Sequence, residues 1–98
     1  MESTLEKYKN IIVPIVLHYL PNVKIILYGS RARGDSKEGS DIDVALDAGD
    51  KIDTLVMGEI AGDLEDSDLP ISFDIVDFSR VSQDMQKNIM KDGVVWKK

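Results

Sequence analysis

Apolar residues in this chain follow two periods, one typical of helices and one typical of strands. Positions such as Leu5, Tyr8, Ile12 and Val16 recur at helical spacing, whereas Val23 begins a β-branched run bounded by turn residues. The pattern predicts helices over residues 3–19, 50–66 and 79–91, and strands over residues 23–28, 41–46 and 71–78. Residues 29–40 read as a loop that contains one helical turn, and residues 94–96 read as a short extended tail.

Capping residues set the expected helix boundaries. Ser3 with Glu6 forms a capping box, and Asp50 and Ser79 are the expected N-caps of the second and third helices. Pro14 is expected to kink the first helix or divide it in two. The expected inner faces of the second and third helices are Ile52, Leu55, Val56, Ile60 and Leu64, and Val81, Met85, Ile89 and Met90.

The order of elements is therefore α-β-β-α-β-α, with the loop between the first two strands. Strands alternating with helices predict an α/β (α+β) fold, a small mixed sheet with helices packed on it. A chain of 98 residues has room for one modest hydrophobic core. We expect residues 1–98 to form a single domain.

Composition excludes several classes of function. The chain has no cysteine, so disulfide scaffolds and thiolate metal sites are excluded, and a reducing cytoplasm is the expected location. Its net charge of −6 argues against broad nucleic-acid binding, which needs a basic surface. The longest apolar stretch is far shorter than a membrane span, so no membrane association is expected.

Candidate chemistry converges at the ends of the predicted strands. Gly29 and Ser30 form a turn directly after the first strand, where backbone N–H groups and a hydroxyl can approach a phosphate. Asp41 and Asp43 are two residues apart on the second strand, so their carboxylates face the same way. Asp74 lies in the third strand between the apolar residues Phe73, Ile75 and Val76, where an acid is out of place for a core strand.

This combination favours metal-assisted phosphoryl chemistry. Paired carboxylates at this spacing can bridge two cations, and hard oxygen ligands select Mg²⁺ or Mn²⁺. Arg31 and Arg33 are either phosphate-neutralising groups or plain surface charges. Asp77 competes with Asp74 as the third carboxylate, but it lies near the strand end, where serving the next turn is the better interpretation.

Gly29-Ser30, ten further residues and Asp41-Ile42-Asp43 make up the pattern G-S-x10-D-x-D. This pattern, within the string YGSRARGDSKEGSDIDVAL, resembles the minimal nucleotidyltransferase (MNT) group of the polymerase-β-type nucleotidyltransferase superfamily. The resemblance covers most of the chain and implies a polymerase-β-like palm, a single minimal nucleotidyltransferase domain.

The resemblance implies a specific site and reaction. Gly29 and Ser30, with Arg31, Arg33 and Ser40 nearby, would hold ATP, and Asp41, Asp43 and Asp74 would bind two Mg²⁺ ions and serve catalysis. An adenylyl group would pass to a hydroxyl, expected to be a tyrosine of a helical HEPN-type ribonuclease toxin that this chain silences as an antitoxin.

Two alternatives stay open at this stage, a small-molecule nucleotidyltransferase subunit of the antibiotic-modifying kind and an antitoxin that acts by binding alone. The nucleotide preference and the oligomeric state, with itself or with a partner, are also open.

Overall fold

The computed structural model describes residues 4–34 and 41–98. Ser3 and Ser40 lie outside the described residues. The chain forms four helices and four strands within these ranges, in this order: α1 (Thr4–Tyr19), β1 (Lys24–Tyr28), α2 (Ser30–Arg33), β2 (Ile42–Asp47), α3 (Thr54–Glu65), β3 (Phe73–Asp77), α4 (Gln83–Asp92) and β4 (Val94–Lys97).

One mixed sheet organises the chain, with strand order β3-β2-β1-β4. β1 is antiparallel to both β2 and β4, and β2 is parallel to β3. The α/β fold class is confirmed, and so is the order of the six main elements. The expected tail at residues 94–96 is a fourth strand, because it pairs with β1 along the sheet edge.

The larger core lies between one face of the sheet and the helices α1 and α3. Alternate residues of the two central strands point into it, and they pack against the apolar stripe of α1. Its buried members from these three elements are Tyr8, Ile12, Val16, Ile25, Leu27, Ile42, Val44 and Leu46. The hydroxyl of Tyr19 donates a hydrogen bond to the carboxylate of Asp63, which joins α1 to α3. Trp96 is partly buried against the same core.

The opposite face of the sheet is covered over only part of its length. Ile26 and Ala45 are buried there beneath Ile89 of α4, and Val76 packs at their side. Since α4 has only ten residues, it covers this middle row of the sheet and stops at the neighbouring Gly93. The rows nearer the C-terminal end of β1 lie beyond α4 and close to the short helix α2. The candidate site residues lie in these rows.

Several local predictions are wrong. α3 is capped by Asp53 rather than Asp50, and α4 by Ser82 rather than Ser79. Asp53 and Ser82 accept hydrogen bonds from backbone N–H groups in the first turns of these helices, whereas Asp50 bonds to the adjacent Lys51 N–H. Ser79 lies in the turn after β3, where its N–H donates a hydrogen bond to Asp77, and α4 begins only at Gln83.

Pro14 does not divide α1. The helix runs without a break from Thr4 to Tyr19, with Pro14 on its exposed side. Leu55 and Met90 are also misplaced by the periodic pattern, since they are 76% and 57% exposed. Met90 directly follows the buried Ile89 and so lies about 100° around α4 from it, and Leu55 lies on the side of α3 opposite the buried Leu64.

Candidate functional site

Three polar side chains form a row across the open part of the sheet. Tyr28 pairs with Asp43 between β1 and β2, and Asp43 pairs with Asp74 between β2 and β3. Paired residues on neighbouring strands point to the same face, so all three side chains lie together. Tyr28 and Asp43 are half-buried and Asp74 is exposed. The sheet thus brings together the predicted Asp43 and Asp74, which are 31 positions apart in sequence.

Gly29 follows Tyr28 and closely approaches Asp43. Its φ of +77° and ψ of −157° lie in a region that only glycine adopts without strain. A Cβ placed on Gly29 would lie 2.5 Å from Oδ2 of Asp43. The turn predicted to approach a phosphate is therefore in contact with one of the predicted metal-binding carboxylates.

The carboxylate of Asp43 lies in an electrostatically unfavourable place. Partial burial raises its pKa above the usual value, and the nearby charges of Asp74 and Asp41 raise it further. The charge of Arg33 acts in the opposite direction. Asp41 itself is exposed and lies one residue before β2. This concentration of negative charge at Asp43 favours a bound cation.

Tyr28 is a residue of this site that sequence analysis did not single out. Burial and the charges of Asp74 and Asp43 raise the pKa of its hydroxyl to about 12, so it stays a protonated donor at neutral pH. Its place directly before the Gly-Ser turn was the available signal. The antiparallel register with Asp43 could not be read from the sequence, because it depends on how the two strands pair and not on their separation along the chain.

The two arginines of α2 lie in different surroundings. The Arg31 guanidinium lies over the ring of Tyr8 in α1, 5.6 Å from its centroid, in a cation–π contact. Arg33 lies close enough to Asp43 to lower its pKa. Ser30 begins α2, directly after Gly29. Arg33 and Ser30 therefore lie beside the carboxylates, while Arg31 is directed toward α1.

Asp77 has a structural role, as expected from its position at the strand end. Its buried carboxylate accepts hydrogen bonds from the N–H of Ile52 at 2.7 Å and of Ser79 at 3.0 Å. Nε of Arg80 donates to it at 3.2 Å. Asp77 points to the face opposite Asp74 and joins the segment before α3 to the turn after β3.

The donor set of the site suits a hard cation. Asp41, Asp43 and Asp74 offer only carboxylate oxygens, the ligands that Mg²⁺ prefers. Among residues 4–34 and 41–98, no group of three or more histidine and acidic side chains is drawn together as a ready metal site. Asp43 and Asp74 are adjacent in the sheet, and the exposed Asp41 lies one residue before β2. Within the same ranges, no helix has the length and apolarity to cross a membrane.

The chain is similar in sequence to known proteins. The family model described as "Polymerase beta, Nucleotidyltransferase" matches residues 3–97. The "Probable protein adenylyltransferase MntA" of Haemophilus influenzae is 31% identical over 85 residues, which cover 87% of this chain and 75% of that protein.

Solved toxin-antitoxin structures also superimpose on this chain. A crystal structure of a toxin-antitoxin with AMP-PNP superimposes with a TM-score of 0.76 at 28% identity, over 90% of this chain and 71% of that one. A complex of a tri-AMPylated Shewanella oneidensis HEPN toxin with its MNT antitoxin superimposes with a TM-score of 0.72 at 25% identity. It covers 93% of this chain and 70% of that one.

Proposed function

Because this chain belongs to the polymerase-β nucleotidyltransferase family, we propose that it transfers an adenylyl group from ATP to a partner protein. The observation that carries the proposal is the contact geometry of Asp43, which lies beside Asp74 in the sheet and against Gly29 in the turn. Carboxylates for a metal and a turn for a phosphate thus share one place. The relatives named above support protein adenylylation in particular.

The partner we propose is a HEPN-type toxin, which this chain silences as an antitoxin. Support comes from the solved complex of an MNT antitoxin with its HEPN toxin, in which the toxin carries AMP groups. We propose a tyrosyl hydroxyl of the partner as the acceptor. Residues 1–98 would act as one minimal nucleotidyltransferase domain, and the need for ATP is consistent with a cytoplasmic setting.

Asp41, Asp43 and Asp74 would hold Mg²⁺, which when bound neutralises phosphate charge and polarises the reacting oxygens. The Gly29-Ser30 turn and Arg33 would hold the triphosphate beside these carboxylates. Asp74, which is exposed beside Asp43 in the sheet, would accept the proton of the acceptor hydroxyl as the hydroxyl oxygen bonds to the α-phosphorus. The bond to the β-phosphate oxygen then breaks, and pyrophosphate leaves.

A transfer assay tests this proposal. The purified chain is incubated with α-labelled ATP, Mg²⁺ and host lysate, beside the Asp41→Asn/Asp43→Asn double variant. We expect a labelled protein band with the unmodified chain. The double variant should give about a hundredfold less label or lower, since each of its two substitutions removes a metal ligand.

The control is Asp47→Asn, which changes an acid at the far end of the same strand and should leave transfer unchanged. Equal labelling by the double variant would contradict the proposal. Label found only in a low-mass product would identify a small-molecule acceptor instead. No label anywhere, with the partner still neutralised in cells, would leave neutralisation by binding alone.

A further inference from the structure

A cleft opens beside the candidate site, between α2 and the second half of α4. Its volume is about 430 Å³, within the range of small-molecule pockets. One wall comes from the end of β1 and from α2, and the other from α4. The lining residues are Tyr28, Gly29, Arg33, Met85, Asn88, Ile89 and Asp92. The cleft therefore begins at the residues that contact the carboxylates and extends away from them.

The two walls differ in charge. Arg33 and the backbone turn at Gly29 form the side that accepts anions, close to Asp43. The α4 wall carries the carboxylate of Asp92 and the amide of Asn88, with apolar surface from Met85 and Ile89 between them and the sheet. A phosphate is repelled by Asp92, whereas a sugar hydroxyl can donate to it.

Asn88 and Asp92 are four residues apart, so they lie on the same face of α4. An acid in the last turn of a helix is unfavourable, because the C-terminal end of the helix carries partial negative charge. Helix stability therefore does not account for Asp92. Lys87 and Lys91 lie on another face of α4, where they line a separate groove with Phe78 and Met90.

We propose that this cleft binds the nucleoside part of the nucleotide, with Asp92 and Asn88 hydrogen-bonded to the ribose hydroxyls. The phosphates then extend past Arg33 and Gly29 toward Asp43. This inference rests on the proposed function, and adds which end of the site holds the sugar. It makes α4 the element that distinguishes a ribonucleotide from analogues without ribose hydroxyls.

Binding of three probes by calorimetry in Mg²⁺ tests the assignment: ATP, 2′,3′-dideoxy-ATP and inorganic tripolyphosphate. We expect the unmodified chain to bind ATP about tenfold more tightly than dideoxy-ATP, as for hydrogen bonds to a charged group. Asp92→Asn should reduce this ratio to about two, and Asn88→Ala should reduce it in part. Tripolyphosphate binding should not weaken in either variant.

Loss of the negative charge of Asp92 should strengthen phosphate binding in general. This gain applies equally to ATP and dideoxy-ATP, so it cancels in the ratio of their affinities. Lys87→Gln and Lys91→Gln are the matched controls on the same helix, and both should keep the tenfold ratio. An unchanged ratio in Asp92→Asn and Asn88→Ala, or no preference in the unmodified chain, would overturn the assignment alone. Failure of the unmodified chain to bind either ATP or tripolyphosphate would overturn the proposed function as well.

Discussion

At the residue scale, Gly29 and Asp43 constrain each other across the loop that connects their strands. The glycine adopts a backbone conformation closed to other residues, and the space where its side chain would project is filled by a carboxylate oxygen. The requirement for glycine is therefore both conformational and steric.

Gly29→Ala should destabilise the fold by about 2–3 kcal/mol and abolish transfer, because the added methyl group displaces Asp43 or the turn. Urea unfolding and the labelled-ATP assay measure the two effects. Gly34→Ala is the control, since Gly34 also has a positive φ but, among the described residues, no atom lies within 4 Å of the added Cβ. It should lose about 1 kcal/mol and keep its activity. Full activity in Gly29→Ala would contradict the importance of the contact.

Asp43 is expected to reduce stability when it is ionised. Its pKa is raised in the folded chain, so the folded state binds the proton more tightly than the unfolded state does. The favourable contribution is complete below the unfolded pKa and is lost as the pH rises through the folded pKa. At neutral pH the charged Asp43 therefore opposes folding.

Asp43→Asn should raise the Tm by about 1–3 °C at neutral pH without metal, a small gain because the side chain is partly solvated. The gain should disappear as the pH falls through the pKa of Asp43, where the unmodified side chain is also neutral. Thermal unfolding from about pH 7 to about pH 3 measures it. A lower Tm at neutral pH would show that Asp43 stabilises the fold.

At the scale of elements, Asp77 shows how one buried acid determines where the next helix begins. Its carboxylate holds the turn after β3 through Ser79 and Arg80, so α4 starts only after Ser82. Its bond to Ile52 also fixes the segment before α3. α3 and α4 both begin three residues later than the sequence pattern predicts. The contacts of Asp77 join segments far apart in the chain, so they leave no local signal in the sequence.

Asp77→Asn should destabilise the chain by about 2–4 kcal/mol, since an amide cannot accept all three hydrogen bonds and the buried bonds lose their charge. The urea midpoint measures this loss. The control is Asp47→Asn, whose exposed carboxylate accepts one bond from Gly49 and should cost less than about 1 kcal/mol.

Asp77→Asn also distinguishes the roles of the two acids of β3, Asp74 and Asp77. At a temperature where it remains folded, Asp77→Asn should retain transfer, whereas Asp74→Asn should retain stability and lose transfer. The reverse result would make Asp77 the third carboxylate of the site.

At the scale of the whole molecule, one face of the sheet packs against two helices and the other face is covered by one helix over part of its length. α1 and α3 bury the first face, and α4 covers the second only over the row of Ile26 and Ala45. The row beyond α4 carries the carboxylates of Asp43 and Asp74, whose negative charges repel each other. The fold is thus expected to gain stability when a cation and a nucleotide occupy this region.

Saturating Mg²⁺ and ATP, at about a hundred times the Kd, should raise the Tm by roughly 10 °C. The Asp41→Asn/Asp43→Asn variant should show only a small shift, because the ligand binds to the folded chain through these carboxylates. Differential scanning calorimetry checks both. An equal shift in the double variant would place the nucleotide elsewhere on the chain.

The sequence by itself determined the elements, the fold class and the spacing of the Gly-Ser turn and the two carboxylates. These depend on local periodicity and on neighbours within about a dozen residues. Only the tertiary structure decided that Tyr28 stands beside Asp43, that Asp77 bonds to Ile52 ahead of α3, and that residues 94–97 form an edge strand beside β1. Strand register and strand pairing join residues far apart in the chain, and a single-residue shift would turn every side chain to the other face.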